Sequence, residues 1–320
     1  MKVLPLTGFG VNVDLNHFTS SDIDVLISSL QKLKVRWVRL EIDYLKYVEP
    51  EKLEAIDYFC DQCLKNNIAV VGLFSQFVPA SLRNLFFPHH LHTPVMSNMK
   101  PFLSFVTTVV HRWKNNIFYW EIWNEQNSKR FWINKPSPKE YVTFLKQIHT
   151  IIRVQNPRAK LLFGGVNGND ITPMMYMPKH YFHYKGFIEE CINLGAAKYV
   201  DMFAFHPYTL SCYISFKTAD QIAAEIIARI QETYEKYKSQ RLVISEIGVS
   251  PLLNPKLDPK GIAHIYKKII SYCETIDIPI SIYALADQLS SHYGALNPDR
   301  DFGFLDYELQ EKELLKEFIA

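Results

Sequence analysis

The chain has no apolar run long enough to span a membrane. Its opening segment, Met1-Lys2-Val3-Leu4-Pro5-Leu6-Thr7-Gly8-Phe9-Gly10, carries no signal-peptide core. The expectation is a cytoplasmic protein with no membrane partner. Charge of one sign is also missing: 35 Lys and Arg against 33 Asp and Glu leave a formal net charge of +2, with no long basic or acidic block. That argues against nucleic acid as the main partner. Cysteine is scarce, odd in number (5) and scattered, which fits a reducing compartment better than a disulfide framework. Cys60 and Cys63 are spaced like half a zinc site, but no second pair matches them and the pattern around them is helical. No Pro/Gly/Ser-rich linker divides the 320 residues. Their 48% hydrophobic and 21% charged content supplies a large core and excludes a disordered chain. The length suits one large α/β barrel or two ordinary domains, and the oligomeric state stays open.

What is present is a regular alternation. Strand-like runs lie near Leu6–Val13, Val35–Glu41, Ile68–Phe74, Ile117–Trp123, Lys160–Gly165, Tyr199–Phe205, Arg241–Glu246 and Pro279–Leu285, with helical patterns between them. From Thr218 to Lys238 the residues Ile222, Ile226, Ile227, Ile230, Tyr234 and Tyr237 recur at spacings of three and four, one apolar helix face. Ser137-Pro138-Lys139-Glu140 opens another helix as a capping box with Pro in the first turn, and Asp258-Pro259 opens the next. Eight strands each followed by a helix, the last over Glu313–Phe318, predict a single-domain (β/α)8 TIM barrel over residues 1–320. Segments entering strands are short and segments leaving them are long, as in Ser75–Asn98, Val166–Lys179 and Ala286–Glu308. Long loops on the C-terminal face of such a barrel are where its enzymes keep their sites.

Two strands end in a way that a buried strand has no structural need for. Phe118-Tyr119-Trp120-Glu121-Ile122-Trp123 runs into Asn124-Glu125-Gln126-Asn127, and Leu242-Val243-Ile244-Ser245 runs into Glu246. Each delivers one Glu to a strand end, and a carboxylate pair assembled by the fold is the minimum apparatus for glycoside hydrolysis. Glu121, three residues before Asn124, reads as an interior structural carboxylate.

The chain resembles clan A glycoside hydrolases, the retaining (β/α)8 superfamily, and within it most the family 39 type. The resemblance rests on Trp123-Asn124-Glu125-Gln126-Asn127, with Gln126 where Pro is commoner, and on Ile244-Ser245-Glu246-Ile247-Gly248. It extends to Arg39 in Val35-Arg36-Trp37-Val38-Arg39, to Phe205-His206-Pro207-Tyr208 and to Asp301-Phe302-Gly303-Phe304-Leu305-Asp306. It implies Glu125 as acid/base and Glu246 as nucleophile. Arg39 would hold Glu246 ionised, Asn124 would bond the sugar 2-hydroxyl, and His206 or Tyr208 would donate to Glu246 or to a sugar hydroxyl. The other reading of Arg39 is an ion pair with Glu41 or Asp43, and of His206 and Tyr208, core packing. Trp132 and Tyr283 are further candidates for substrate contact among loop aromatics that include Phe74, Phe77, Phe86, Phe87, Phe131, Tyr176, Tyr181, Tyr213 and Tyr293. Tyr283 stands where many clan members have a Trp that floors the cleaved sugar's subsite. His89, His90 and His92 resemble a metal cluster only superficially, since adjacent residues on an extended segment point apart. No metal and no cofactor is expected. The expected function is retaining, internal cleavage of a β-linked oligo- or polysaccharide, with a carbohydrate substrate as the partner. Exo-action of a β-xylosidase-like kind, transglycosylation, and a non-catalytic carbohydrate-binding barrel stand as the alternatives.

Overall fold

The structure is a computed structural model that describes residues 3–15, 18–42, 44, 50–75, 99–128, 131–132, 135–168, 182–287 and 301–320. The strands are β1 (Phe9–Val13), β2 (Trp37–Glu41), β3 (Ala69–Phe74), β4 (Tyr119–Asn124), β5 (Lys160–Asn167), β6 (Met202–His206), β7 (Leu242–Ile247) and β8 (Ile280–Ile282). The described helices are α1 (Ser20–Lys32), α2 (Pro50–Lys65), α3 (Lys100–Arg112), α4 (Pro138–Gln155), α5 (Tyr184–Asn193), α6 (Ala219–Tyr237), α7 (Pro259–Thr275) and α8 (Glu313–Ile319). The strands pair in sequence order, all parallel, and β8 returns to β1 to close the barrel. The (β/α)8 reading therefore holds for the described residues.

The caps at Ser137 and Asp258 act where the sequence placed them, and Thr218 caps α6 as a third. Ser137 accepts from the Glu140 amide at 3.3 Å, Thr218 from Gln221 at 3.4 Å and Asp258 from Gly261 at 2.7 Å. Each satisfies an amide that the first helical turn leaves unpaired. Cys60 and Cys63 are buried free thiols of α2.

The barrel interior has two chemically distinct layers. Alternation along a strand puts residues two apart on one face. Trp37, Val71, Tyr119, Leu162, Ala204 and Val243 meet in one apolar cluster, which Leu6 of the N-terminal segment joins. Tyr119 fixes that segment by accepting from the Leu6 amide and donating to the Leu4 carbonyl. Two residues further along, the same faces carry Arg39, Glu121, His206 and Ser245, all buried. Apolar packing thus seals one end of the barrel, and a polar layer floors the other.

Strand starts fall within a few residues of the sequence reading, and at the barrel mouth only the ends of β5 and β8 move by more than one residue. β5 runs on to Asn167, past a register shift between Phe163 and Val166 at the Gly164-Gly165 pair. β8 is shorter than expected and ends at Ile282; its ladder to β7 shifts register between Ile244 and Ile247, and the Tyr283 amide bonds the Ile247 carbonyl at 2.8 Å.

Candidate active site

The acid end of the site is built on a twisted strand terminus. Trp123 and Glu125 adopt φ of 79° and 47°, left-handed values that cost non-glycine residues about 1–3 kcal/mol each and persist only where surroundings over-determine them. Here the surroundings do so. The Trp123 indole donates to the Phe131 carbonyl at 2.8 Å, the Glu125 amide to the Gly165 carbonyl at 2.8 Å, and the Gln126 amide group to the Gly164 carbonyl at 2.8 Å. The twist turns the Glu125 side chain into the barrel mouth, where it is 7% exposed. Its Oε1 lies 3.1 Å from His206 Nδ1, and its Oε2 accepts from Asn167 Nδ2 at 3.0 Å. Asn167 is itself clamped: its amide donates to Asn127 Oδ1, and Asn127 Nδ2 donates back to its carbonyl, both at 2.9 Å.

Glu246, at the end of β7, is half-buried and receives two donors. Tyr208 donates its hydroxyl to Oε1 at 3.0 Å, and Arg39 Nη1 donates to Oε2 at 2.9 Å. Arg39 is the hub of the floor. Its Nε and Nη2 make a two-pronged contact with Glu121 at 2.7 and 2.9 Å, and Nη1 and Nη2 also donate to Asn12 and Asn124 at 2.9 and 2.7 Å. Burial alone would lower the Arg39 pKa, but Glu121, Glu246 and Glu41 together raise it above the ordinary value, so the guanidinium stays charged. Glu246 is pulled both ways. Burial raises its carboxyl above the ordinary 4.5 and Glu125 adds to this, while His206, Arg39 and the Tyr208 hydroxyl act to lower it; the net direction is upward.

A carboxylate oxygen of Glu125, one of Glu246 and a ring nitrogen of His206 all lie within 4.8 Å of one another. Three such groups suggest a cation site, but the donors already present disfavour it. Each of the four carboxylate oxygens has an N–H, O–H or imidazole partner, and one of those is a guanidinium that would repel a metal ion.

Arg39, Asn124, Glu125, His206, Tyr208 and Glu246 come together at the barrel mouth. His206 departs from its expected partner: its Nδ1 faces Glu125 rather than Glu246, while its Nε2 meets Ser245 of β7. Arg39 is no ion pair of Glu41, which instead accepts from Ser75; Asp43 lies outside the described residues. Tyr283, half-buried just past β8, packs on Phe302 with centroids 5.6 Å apart. Phe302 continues to Tyr213 at 6.2 Å and Tyr213 to Tyr208 at 5.3 Å, an aromatic row beside Glu246. Trp132 corrects the expectation of a substrate contact. It is 2% exposed, its indole donates to Glu140 at 3.1 Å, and Trp123, Tyr141 and Phe144 pack against it, so it belongs to the shell between β4 and α4. Phe74 is likewise core, stacked on Trp120 at 4.9 Å. Phe77, Phe86, Phe87, His89, His90, His92, Tyr176, Tyr181 and Tyr293 lie outside the described residues.

Asn12, Asn167 and Ser245 are site residues that the sequence reading did not single out. Their signal was faint: a polar residue on the inward face of an otherwise apolar strand, or one just past its end.

Comparison with solved structures returns the same architecture. A family 39 glycoside hydrolase from the gut symbiont Bacteroides cellulosilyticus WH2 matches at TM-score 0.69 and 17% identity, covering 99% of this chain and 63% of that one. The chain thus spans less than two thirds of that protein's length. A monomeric beta-xylosidase from Caulobacter crescentus CB15 matches at TM-score 0.63 and 15% identity, covering 98% of this chain and 67% of that one. The hyperthermostable endo-1,4-beta-D-mannanase from Thermotoga petrophila RKU-1 matches at TM-score 0.66 and 12% identity, covering 98% of both chains. At these identities the likeness is one of fold. No family model matches the sequence, and no curated protein matches it.

Proposed function

We propose that the chain, as one catalytic domain over residues 1–320, is a retaining glycosidase that cleaves β-linked glycans by double displacement. The observation that carries this reading is the Glu125–Glu246 pair, with oxygens within 4.8 Å across the barrel mouth. That separation suits a retaining pair, whose carboxyl groups stand about 5–5.5 Å apart, rather than an inverting one, which leaves room for a water. Glu246 attacks the anomeric carbon while Glu125 protonates the departing glycosidic oxygen. Glu125 then takes a proton from the water that releases the sugar from Glu246. Asn124 commits Oδ1 to Arg39 at 2.7 Å, which leaves its amide N–H groups to donate to the sugar 2-hydroxyl. The solved structures of like fold include a beta-xylosidase and an endo-1,4-beta-D-mannanase, in keeping with a β-linked carbohydrate substrate. Internal cleavage is the mode favoured by the long segments after β3, β5 and β8 in the sequence.

The test is turnover on a panel of β-linked polysaccharides and aryl glycosides, with product stereochemistry followed by NMR. Retained configuration is expected, with turnover abolished by Glu246→Ala. Glu125→Ala should hurt substrates with poor leaving groups most, since activated aryl glycosides need little protonation. Inverted products, or equal damage on both substrate types, defeat the assignment. Monosaccharide as the only early product replaces internal cleavage with exo-action.

A further inference from the structure

We infer that Ser245, the residue before the proposed nucleophile, fixes the tautomer of His206 and thereby keeps a proton at the His206–Glu125 contact for use in the reaction. The part concerning the reaction rests on the roles proposed above for Glu125 and Glu246. Ser245 is held from one side by Glu121 of β4. Its Oε1 receives Arg39 Nη2 at 2.9 Å, the Gly165 amide at 2.9 Å and the Ser245 hydroxyl at 3.0 Å. Its Oε2 receives Arg39 Nε at 2.7 Å. A carboxylate facing this many donors is an acceptor only.

A serine hydroxyl has one proton to give, and Glu121 takes it. On its other side Ser245 Oγ can therefore only accept, and the neighbour there is His206 Nε2 at 3.1 Å. Nε2 must carry a hydrogen. A neutral imidazole has just one N–H, so in that form Nδ1 faces Glu125 Oε1, 3.1 Å away, as a lone pair, and in the charged form it carries the second N–H there. Two facing lone pairs repel, and the contact is attractive only with a proton between them. The ring is closely packed: His206 is wholly buried, and a Cβ on Gly165 would lie 2.0 Å from Nε2. The charged and titratable groups around the ring are Glu125 from β4, Tyr208 beyond β6, Glu246 from β7, and Glu121 and Arg39 behind Ser245.

This arrangement serves both halves of a double displacement. In the first, the proton held at Oε1 turns from Nδ1 to the glycosidic oxygen as that C–O bond breaks and Glu246 bonds the anomeric carbon. Nδ1 and Oε1 then face each other as lone pairs, which strengthens Glu125 as a base. In the second half Glu125 recovers a proton from water, whose oxygen bonds the anomeric carbon as the bond to Glu246 breaks. His206 and Ser245 are positioning residues that act through Glu125.

Nitrogen-15 NMR of the histidine rings in the full chain reads the tautomer directly, with the His206 signals assigned by their loss in His206→Asn. The expected wild-type spectrum at neutral pH has Nε2 protonated. In Ser245→Ala the acceptor is gone, so the ring should adopt the Nδ1–H form and donate to ionised Glu125, leaving Nε2 bare. The basic limb of kcat/KM should then fall by about one pH unit, the size of one hydrogen bond gained by a charged group. A bare Nε2 in the wild type overturns the inference with no variant involved, and so does a wild-type tautomer retained in Ser245→Ala. The two readings fail separately: a protonated Nε2 in a protein that turns over no β-glycan defeats the proposed function and leaves the role of Ser245 in fixing the ring intact.

Discussion

At the scale of single residues, the site depends on which donor meets which carboxylate oxygen. Tyr208 gives Glu246 one of its two direct donors, at 3.0 Å. Glu246 must be ionised to attack, so activity is lost as pH falls through its raised pKa, and the acid limb of kcat/KM is expected above the ordinary 4.5. Tyr208→Phe removes a bond that favours the ionised form and should move that limb up by about one further pH unit, read from the pH–rate profile. A limb that stays in place or moves down would separate Tyr208 from the ionisation of Glu246. Gly165 matters for what it lacks. Any side chain there meets His206 Nε2 at 2.0 Å and Ser245 Oγ at 2.8 Å. Gly165→Ala should displace the ring that aligns Glu125 and lower kcat on the order of 10²-fold, the usual result of misplacing a catalytic group by about 1 Å. Circular dichroism would show whether the fold survives the change.

At the scale of elements, the strand ends and the helix shell do different work. The end of β4 holds two left-handed residues, Trp123 and Glu125, and its twist is secured by bonds to Phe131 and Gly165. The shell behind it is aromatic, with Trp132 buried among Trp123, Tyr141 and Phe144. Trp132→Ala should therefore destabilise the protein by about 3–5 kcal/mol, as deletion of a large core side chain does. A rise in KM with unchanged denaturant stability would return Trp132 to the cleft. The Thr218 cap of α6 lies apart from the chemistry. Thr218→Ala should cost about 1 kcal/mol in chemical denaturation and leave kcat unchanged, since the lost bond is to the Gln221 amide alone.

At the scale of the whole molecule, closure of the barrel is what turns separate strand ends into a site. Arg39 of β2 ties Glu121 of β4 to Glu246 of β7, and Asn12 of β1 reaches Ser245 and Ser281 of the last two strands. Helix α8 closes the outer layer, with Leu315 wholly buried and Phe318 packed between Phe9 and Phe304. Activity loss and unfolding should coincide on heating, because no part of the network survives an open barrel. Thermal inactivation well below the loss of circular dichroism would contradict this. The sequence by itself determined the strand–helix alternation, the caps at Ser137 and Asp258, and the delivery of Glu125 and Glu246 to strand ends. These are local matters, fixed by periodicity and by the chemistry of neighbouring residues. Only the tertiary structure decided that His206 turns to Glu125, that Asn167 clamps the same carboxylate, that Ser245 bridges His206 and Glu121, and that Trp132 belongs to the shell. Each of those contacts joins residues from different strands or from a strand and a helix. Which face of a ring or amide meets which oxygen follows from the twist, register shift and closure of the sheet, which no single segment of the chain encodes.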